Sequence, residues 1–599
     1  MAGNWGEGMF YILTEIVLIL AFLMLPRHDE KQNIVICFPI AVVAYECLAC
    51  FWTGLLTILY INTNINSAAV CNLALCAYLV WLIWKKQKVQ KYNLAVSDTV
   101  FLLVYTVVIF WAVRERFTPE LLIRFETSDP GVHLKSAMDF VNGQRVKGMY
   151  LGAATNGLFI QSMTKIWEGV QPYKFFLIKY GINFYFSGLV FASGLIGYAH
   201  RIWMKMIVYV AVFFYVFGYP YNDMVFGFVY LQLTVTVIAF LCVVSGWYID
   251  SEGENKNIYG VLLALGCLGT GIGYTLFAPA VYAALLACIV YKAYKEGWLL
   301  RTQKRFFSTA FIKEGLRVFL VPTVMTLWFL VIAPLLARNP ADYGNALTIE
   351  GYIYRNLYSD FWLYIIFAVY AVYVYLKKKK INLPVILLVI GTGYAVFFFI
   401  KMLQAEVSTY YYYKLNYMLW MLVLSCFVIG VLEFLKKERF FGISYLAGIA
   451  MLAVIMVTGA EGKWREININ NLPFADTGAF FHIYSMNQML HERASGRDVR
   501  LVKICEKVKE DYSDAGEVLF IGHFENMFWF EALTDQRISS YILWKLPEEV
   551  MEKYKQGQYG KYMVVAKESE EYLSNAQLYD ELERVYEDEY AFIGIWGSD

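Results

Sequence analysis

The sequence predicts a polytopic α-helical membrane protein of about 14 transmembrane helices, carrying a small extracytoplasmic α/β domain at its C-terminal end. Three observations predict it. The 599 residues are 59% hydrophobic and only 17% charged, where soluble domains are about a quarter charged. Apolar runs long enough to cross a bilayer recur up to residue 459. Beyond residue 460 the composition breaks to many Asp and Glu with short strand-like runs.

The apolar runs fall at 9–25, 33–61, 66–84, 95–113, 176–199, 204–219, 225–247, 258–274, 276–292, 318–336, 359–376, 383–401, 414–435 and 440–459. The stretch 258–292 is also readable as one re-entrant pair turning at Ala278-Pro279. The first run is preceded by Met1 to Gly8 without Lys or Arg, so it reads as a retained helix rather than a cleavable signal peptide. Basic residues mark the cytoplasmic ends of short loops. Alternate loops carry them: Arg27 and Lys31; Lys85 to Lys91; Arg201 and Lys205; Lys292 to Arg317; Lys377 to Lys380; Lys436 to Arg439. The loops 62–65, 220–224, 275–277 and 402–413 are nearly free of them. This parity places the N-terminus, the loop 114–175 and the tail outside the cell membrane. It divides the chain into a transmembrane domain, 1–459, and an extracytoplasmic domain, 460–599.

In the tail, Val518 to Gly522 and Tyr562 to Ala566 read as strands, and 499–511, 546–556 and 568–583 as amphipathic helices. That alternation makes a small α/β domain. Gly522-His523-Phe524-Glu525-Asn526 is either an ordinary strand-to-helix turn or the lining of a crevice at the strand's carboxyl end. Nine of the ten cysteines lie in or beside apolar runs and only Cys505 in the tail, so no disulfide framework is implied. The net charge of +1 argues neither for nor against nucleic acid; none is expected as a partner.

Chemistry gathers on the outer face. Glu126-Thr127-Ser128-Asp129-Pro130-Gly131-Val132-His133 puts two carboxylates and an imidazole within eight residues. A carboxylate here can serve as a general base or hold a divalent cation. Equally, Ser128 or Asp129 caps a helix with Pro130 in its first turn, whose Val132, Ala137, Met138, Phe140 and Val141 pack an interfacial helix onto the membrane. Tyr410-Tyr411-Tyr412-Tyr413-Lys414 is an aromatic belt with a snorkelling lysine, or a grip for a lipid phosphate. The turn Gly218-Tyr219-Pro220-Tyr221-Asn222-Asp223 has ordinary turn chemistry and one carboxylate. The loop Arg338 to Arg355 carries Asp342, Glu350 and Arg355 and reads first as solvated.

With these residues the chain resembles the GT-C-type integral membrane glycosyltransferases, in the style of bacterial cell-envelope, arabinofuranosyltransferase-like members. The resemblance rests on Ser128 to His133, Gly218 to Asp223, Tyr410 to Lys414, and the layout of many spans before an extracytoplasmic α/β tail. It implies a sugar moved from a polyprenyl-phosphate carrier at the outer leaflet to an acceptor hydroxyl or amide. Asp129 would be the base, and Glu126 or His133 would assist it. Lys414 would neutralise the lipid-phosphate leaving group, and Tyr410, Tyr413, Asn222, Asp223 and Arg355 would line the substrate site. The loop follows the fourth span here, whereas in most of the family it follows the first. No Asp-x-Asp pair occurs in it, which leaves a divalent cation (Mg or Mn) open. The acceptor is open among polysaccharide, teichoic-acid-like polymer and protein. A transporter or flippase of lipid-linked or envelope precursors is the rival reading, and a non-catalytic envelope scaffold the third. The polar weight at one face, rather than at the midplane, favours the enzyme.

Overall fold

The computed structural model describes residues 2–25, 31–125, 127, 129–141, 143, 151–300, 307–336, 346–351, 358–436, 499–512, 516–536, 542 and 545–597. Glu126, Ser128, Asp342, Arg355, the apolar run 440–459 and the domain boundary at 459/460 lie outside them.

The membrane part runs α1 Ala2–Met24, α2 Ile34–Ile58, α3 Ile65–Lys86, α4 Val96–Phe117, α5 Asp129–Val141, α6 Leu151–Ile166 and α7 Pro172–Ile196. It continues with α8 Ile202–Val216, α9 Tyr219–Phe226, α10 Val229–Asp250, α11 Gly253–Gly273 and α12 Ala278–Lys295. The last are α13 Thr309–Leu327, α14 Ala333–Leu336, α15 Tyr358–Lys377, α16 Leu383–Leu403 and α17 Thr409–Leu435. Among the described residues, eleven candidate spans are long and apolar enough to cross a membrane. Two more of the predicted runs form α11, whose first turn carries Glu254 and Lys256, and α15. The stretch 258–292 is two helices, α11 and α12, joined at Thr275–Phe277; the 18 residues of α12 reach about 27 Å at 1.5 Å each.

Burial sorts the bundle. The span windows of α10, α17 and α7 are 89%, 83% and 78% buried, those of α3, α4 and α13 only 28%. A helix covered all round is central, so α7, α10 and α17 form the hub, and α3, α4 and α13 lie at the periphery. Every helix end needs partners for its free N–H groups. Asn64 supplies them for α3 in a capping box with Ser67, and Pro172, Pro279 and Pro384 open α7, α12 and α16 where no N–H is needed.

The tail holds α18 Val499–Asp511, β3 Val518–Ile521, α19 Phe524–Thr534, α20 Pro547–Lys555 and β4 Tyr562–Ala566, with the two-residue pair Gln32–Asn33 and Tyr92–Asn93 counted as β1 and β2. It ends with α21 Glu570–Leu573, α22 Ala576–Tyr579, β5 Glu583–Glu587 and β6 Ala591–Ile595. The sheet order is β3-β4-β6-β5, with β3 and β4 parallel and the rest antiparallel. The α/β tail is therefore as predicted, with one correction. The stretch 568–583 is two single turns leading into a hairpin, because Ser569 caps a turn that ends at Ser574 and β5 begins at Glu583. Cys505 is a buried free thiol.

Candidate active site

Three helix ends converge around Lys414. The first is the start of α5, which opens with Asp129 and Pro130. The second is the turn between α9 and α10. There Gly227 adopts φ +80°, and the N–H groups of Gly227 and Phe228 donate to the Asp223 carbonyl at 2.7 and 2.9 Å. This left-handed C-terminal turn suits glycine. The third is the start of α17, where Ser408 accepts from the Tyr411 N–H at 3.3 Å and Glu350 accepts from Thr409 and Tyr410 N–H at 3.0 and 3.4 Å. Glu350 is thus a helix cap, placed where a carboxylate complements the helix dipole.

Lys414 itself is 2% exposed. Its Nζ donates to Tyr230 Oη at 2.9 Å. It sits 4.0 Å from the Tyr410 ring, 4.8 Å from Phe228, 5.3 Å from Tyr230 and 5.5 Å from Tyr274. Ring faces attract a desolvated cation, so the cage holds the ammonium where water does not reach. Asp129 and Asp223 are the carboxylates whose charge acts on it. Tyr410 lies one helical turn before Lys414, on its face of α17, whereas Tyr413 packs against the Tyr412 ring at 5.4 Å.

Burial raises the Asp129 carboxyl above its ordinary value, and Lys414 partly opposes the shift. Burial, then Lys414, pushes His133 down to about 3, so its ring is neutral near neutral pH. That ring meets Tyr230 edge-on, centroids 4.7 Å apart. Buried polar groups normally find partners. Here His133 Nε2, Asn222 Nδ2, Asp223 Oδ1 and Gln232 Oε1 have no hydrogen-bond partner among the described residues. Asn222 Oδ1 accepts from Tyr417 Oη at 2.7 Å, and Gln232 Nε2 donates to the Pro220 carbonyl at 3.0 Å. Of these groups, His133 and Asp223 also feel the Lys414 charge.

Of the residues read from sequence, Asp129, His133, Asn222, Asp223, Tyr410 and Lys414 belong to these three helix ends. Glu126 and Arg355 lie outside the described residues. Sequence reading missed Phe228, Tyr230, Tyr274, Tyr417 and Gln232, which sit in or next to apolar runs; the only signal was the density of 47 tyrosines. Among the described residues no group of three or more His, Cys, Asp or Glu is gathered to hold a metal ion.

Solved structures similar to this chain include ArnT from Cupriavidus metallidurans bound to undecaprenyl phosphate, 13% identical, covering 84% of this chain and 98% of that one at a TM-score of 0.48. The apo form of the same protein is 14% identical and covers 83% and 97% at a TM-score of 0.45. No family model and no curated protein matches the chain.

Proposed function

We propose that the chain is a GT-C-type membrane glycosyltransferase of the bacterial cell envelope. It moves a sugar from a polyprenyl-phosphate carrier to a polysaccharide, teichoic-acid-like or protein acceptor at the outer leaflet. The observation that carries this reading is the buried Lys414 ammonium in its aromatic cage, beside two carboxylates and a neutral imidazole.

Asp129 accepts the proton of the acceptor group. The acceptor oxygen or nitrogen forms a bond to the anomeric carbon as the bond from that carbon to the carrier's phosphate oxygen breaks, with inversion. The charge developing on the phosphate falls on Lys414, in a desolvated site where such stabilisation is strongest. Neutral His133 offers a hydrogen bond without adding charge, and Asn222, Asp223 and Gln232 bind sugar hydroxyls. A divalent cation, where the reaction takes one, has Asp129 and Asp223 as donors. Since Lys414 already supplies a cation, activity is expected to survive EDTA.

The test uses purified protein in nanodiscs with radiolabelled polyprenyl-phosphate pentoses and hexoses, reading carrier-phosphate release and product. Asp129→Asn should lower kcat by about 10² to 10⁴; a folded variant at full rate removes Asp129 from the base role. One observation favours the transporter reading: Lys179 of α7 pairs with Glu46 of α2, both buried inside spans, and intramembrane ions often mark transport pathways. Accumulation of lipid-linked substrate in proteoliposomes without any sugar transfer would decide for it.

A further inference from the structure

We infer that the dipeptide Pro130-Gly131 is clamped between the Gly227 turn and helix α19 of the C-terminal domain, and that this clamp positions Asp129. Gly227 and Trp529 are then positioning residues, and the two domains are one functional unit. The inference rests on the glycosyltransferase reading for what Asp129 does, though not for the clamp itself.

On the membrane side, a Cβ at Gly227 would run into Cγ and Cδ of the Pro130 ring. The two carbonyls just before it, at the end of α9, are taken by the incoming chain. Arg116 Nη2 donates to Val225 O at 3.2 Å, and Thr127 Oγ1 donates to Phe226 O at 2.6 Å. Three successive residues thus seat the segment that leads into Asp129, next to the helix bearing Asp223.

On the other side, a Cβ at Gly131 would stand 3.1 Å from the Phe528 carbonyl carbon and the Trp529 nitrogen, both backbone atoms. A side chain there would force α19 to give by a few tenths of an ångström, so glycine suits this close approach. The Trp529 ring is fully buried and stacks on Phe125, centroids 5.9 Å apart and planes 10° apart. Lys135 of α5 is ion-paired with Asp535 just beyond α19, and with Asp139 at 3.2 Å. Proline on one side and glycine on the other leave the first turn of α5 no room to rock. A misplacement of about 1 Å at a reacting group can cost 10²-fold.

The experiment compares Gly227→Ala, Pro130→Ala, their double variant, Trp529→Ala and Trp529→Phe. It reads kcat, donor KM, the pH profile and amide exchange of α5. Gly227→Ala should lower kcat about 100-fold with donor KM little changed, and adding Pro130→Ala, which deletes the colliding ring atoms, should restore at least about tenfold of that. Trp529→Ala should lower kcat, speed α5 exchange and move the acid limb to lower pH as water reaches Asp129; Trp529→Phe, which keeps a stacking ring, should recover most of each. Full activity in Gly227→Ala overturns the clamp. So does a Trp529→Ala variant with unchanged kcat, acid limb and exchange, and that arm decides if Gly227→Ala does not fold. A wild type that transfers no sugar sinks the glycosyltransferase reading instead, and α5 exchange then decides the clamp alone.

Discussion

Lys414 shows how one side chain can set the chemistry of its neighbours. Its cage removes water, and its charge reaches both Asp129 and His133. Burial raises the Asp129 pKa and Lys414 holds it back, so Lys414→Met lets it rise further. A base works deprotonated, so the acid limb of kcat/KM should move to higher pH in that variant, with kcat down by roughly 10² or more through loss of charge stabilisation. A pH–rate profile checks both; an unmoved limb separates Lys414 from Asp129. His133 titrates the other way. Its folded value near 3 lies below the unfolded value of about 6.5, so the stability it contributes is complete above pH 6.5 and is lost as pH falls towards 3. His133→Gln should therefore lose less thermal stability than wild type between pH 7 and 4, measured by melting in detergent. These ionisable residues were legible in sequence because charges stand out beside apolar runs. Tyr230 was not, because an aromatic residue inside a span carries no periodic signal that separates a cage wall from core.

Elements were read well where their period was strong and less well where contacts across the chain decided. The helix beginning at Asp129-Pro130 was legible from its start signals, and α18 from its apolar stripe. The surface that α5 covers was not: Ala137 and Phe140 are fully buried, and Phe140 packs against Gly157 of α6 rather than facing lipid. The β5–β6 hairpin escaped notice because β5 is an exposed, charged edge strand, a composition that guards edges and hides strands. Helix contacts in membranes rely on small residues, and Gly430 of α17 is such a place: a Cβ there would press on the Phe367 carbonyl of α15. Gly430→Val should push α15 away and cost about 1–3 kcal/mol, seen as a lower melting temperature in detergent; an unchanged melt would mean the two helices part without penalty.

At the scale of the whole molecule, the charge parity and the contacts sort the loops in the same way. In the set predicted to lie outside, Ile65 N–H donates to Gln161 at 2.8 Å, Ser408 N–H to Leu347 O at 2.7 Å, and α5 meets the tail through Lys135 and Asp535. In the basic set, Gln32 pairs with Tyr92, Lys205 with Asp98 at 2.7 Å, and Lys378 with Glu433 at 2.6 Å. Each of these contacts joins loops of one set, as two faces of a membrane require. We propose that the face poor in basic residues is outside, since basic residues stay in the cytoplasm; the proposed function needs this, because a lipid-linked sugar and a wall acceptor would meet at the outer leaflet. The test places single cysteines in the exposed turn at Asn62 and in the basic loop at Lys88, with the part-exposed Cys71 and Cys242 replaced by alanine. A membrane-impermeant maleimide on intact cells should label Asn62→Cys at once and Lys88→Cys only after permeabilisation. The reverse pattern would turn the site towards the cytoplasm, where nucleotide sugars rather than polyprenyl carriers would be the donors to test. Labelling of both from outside would break the parity on which the span order rests.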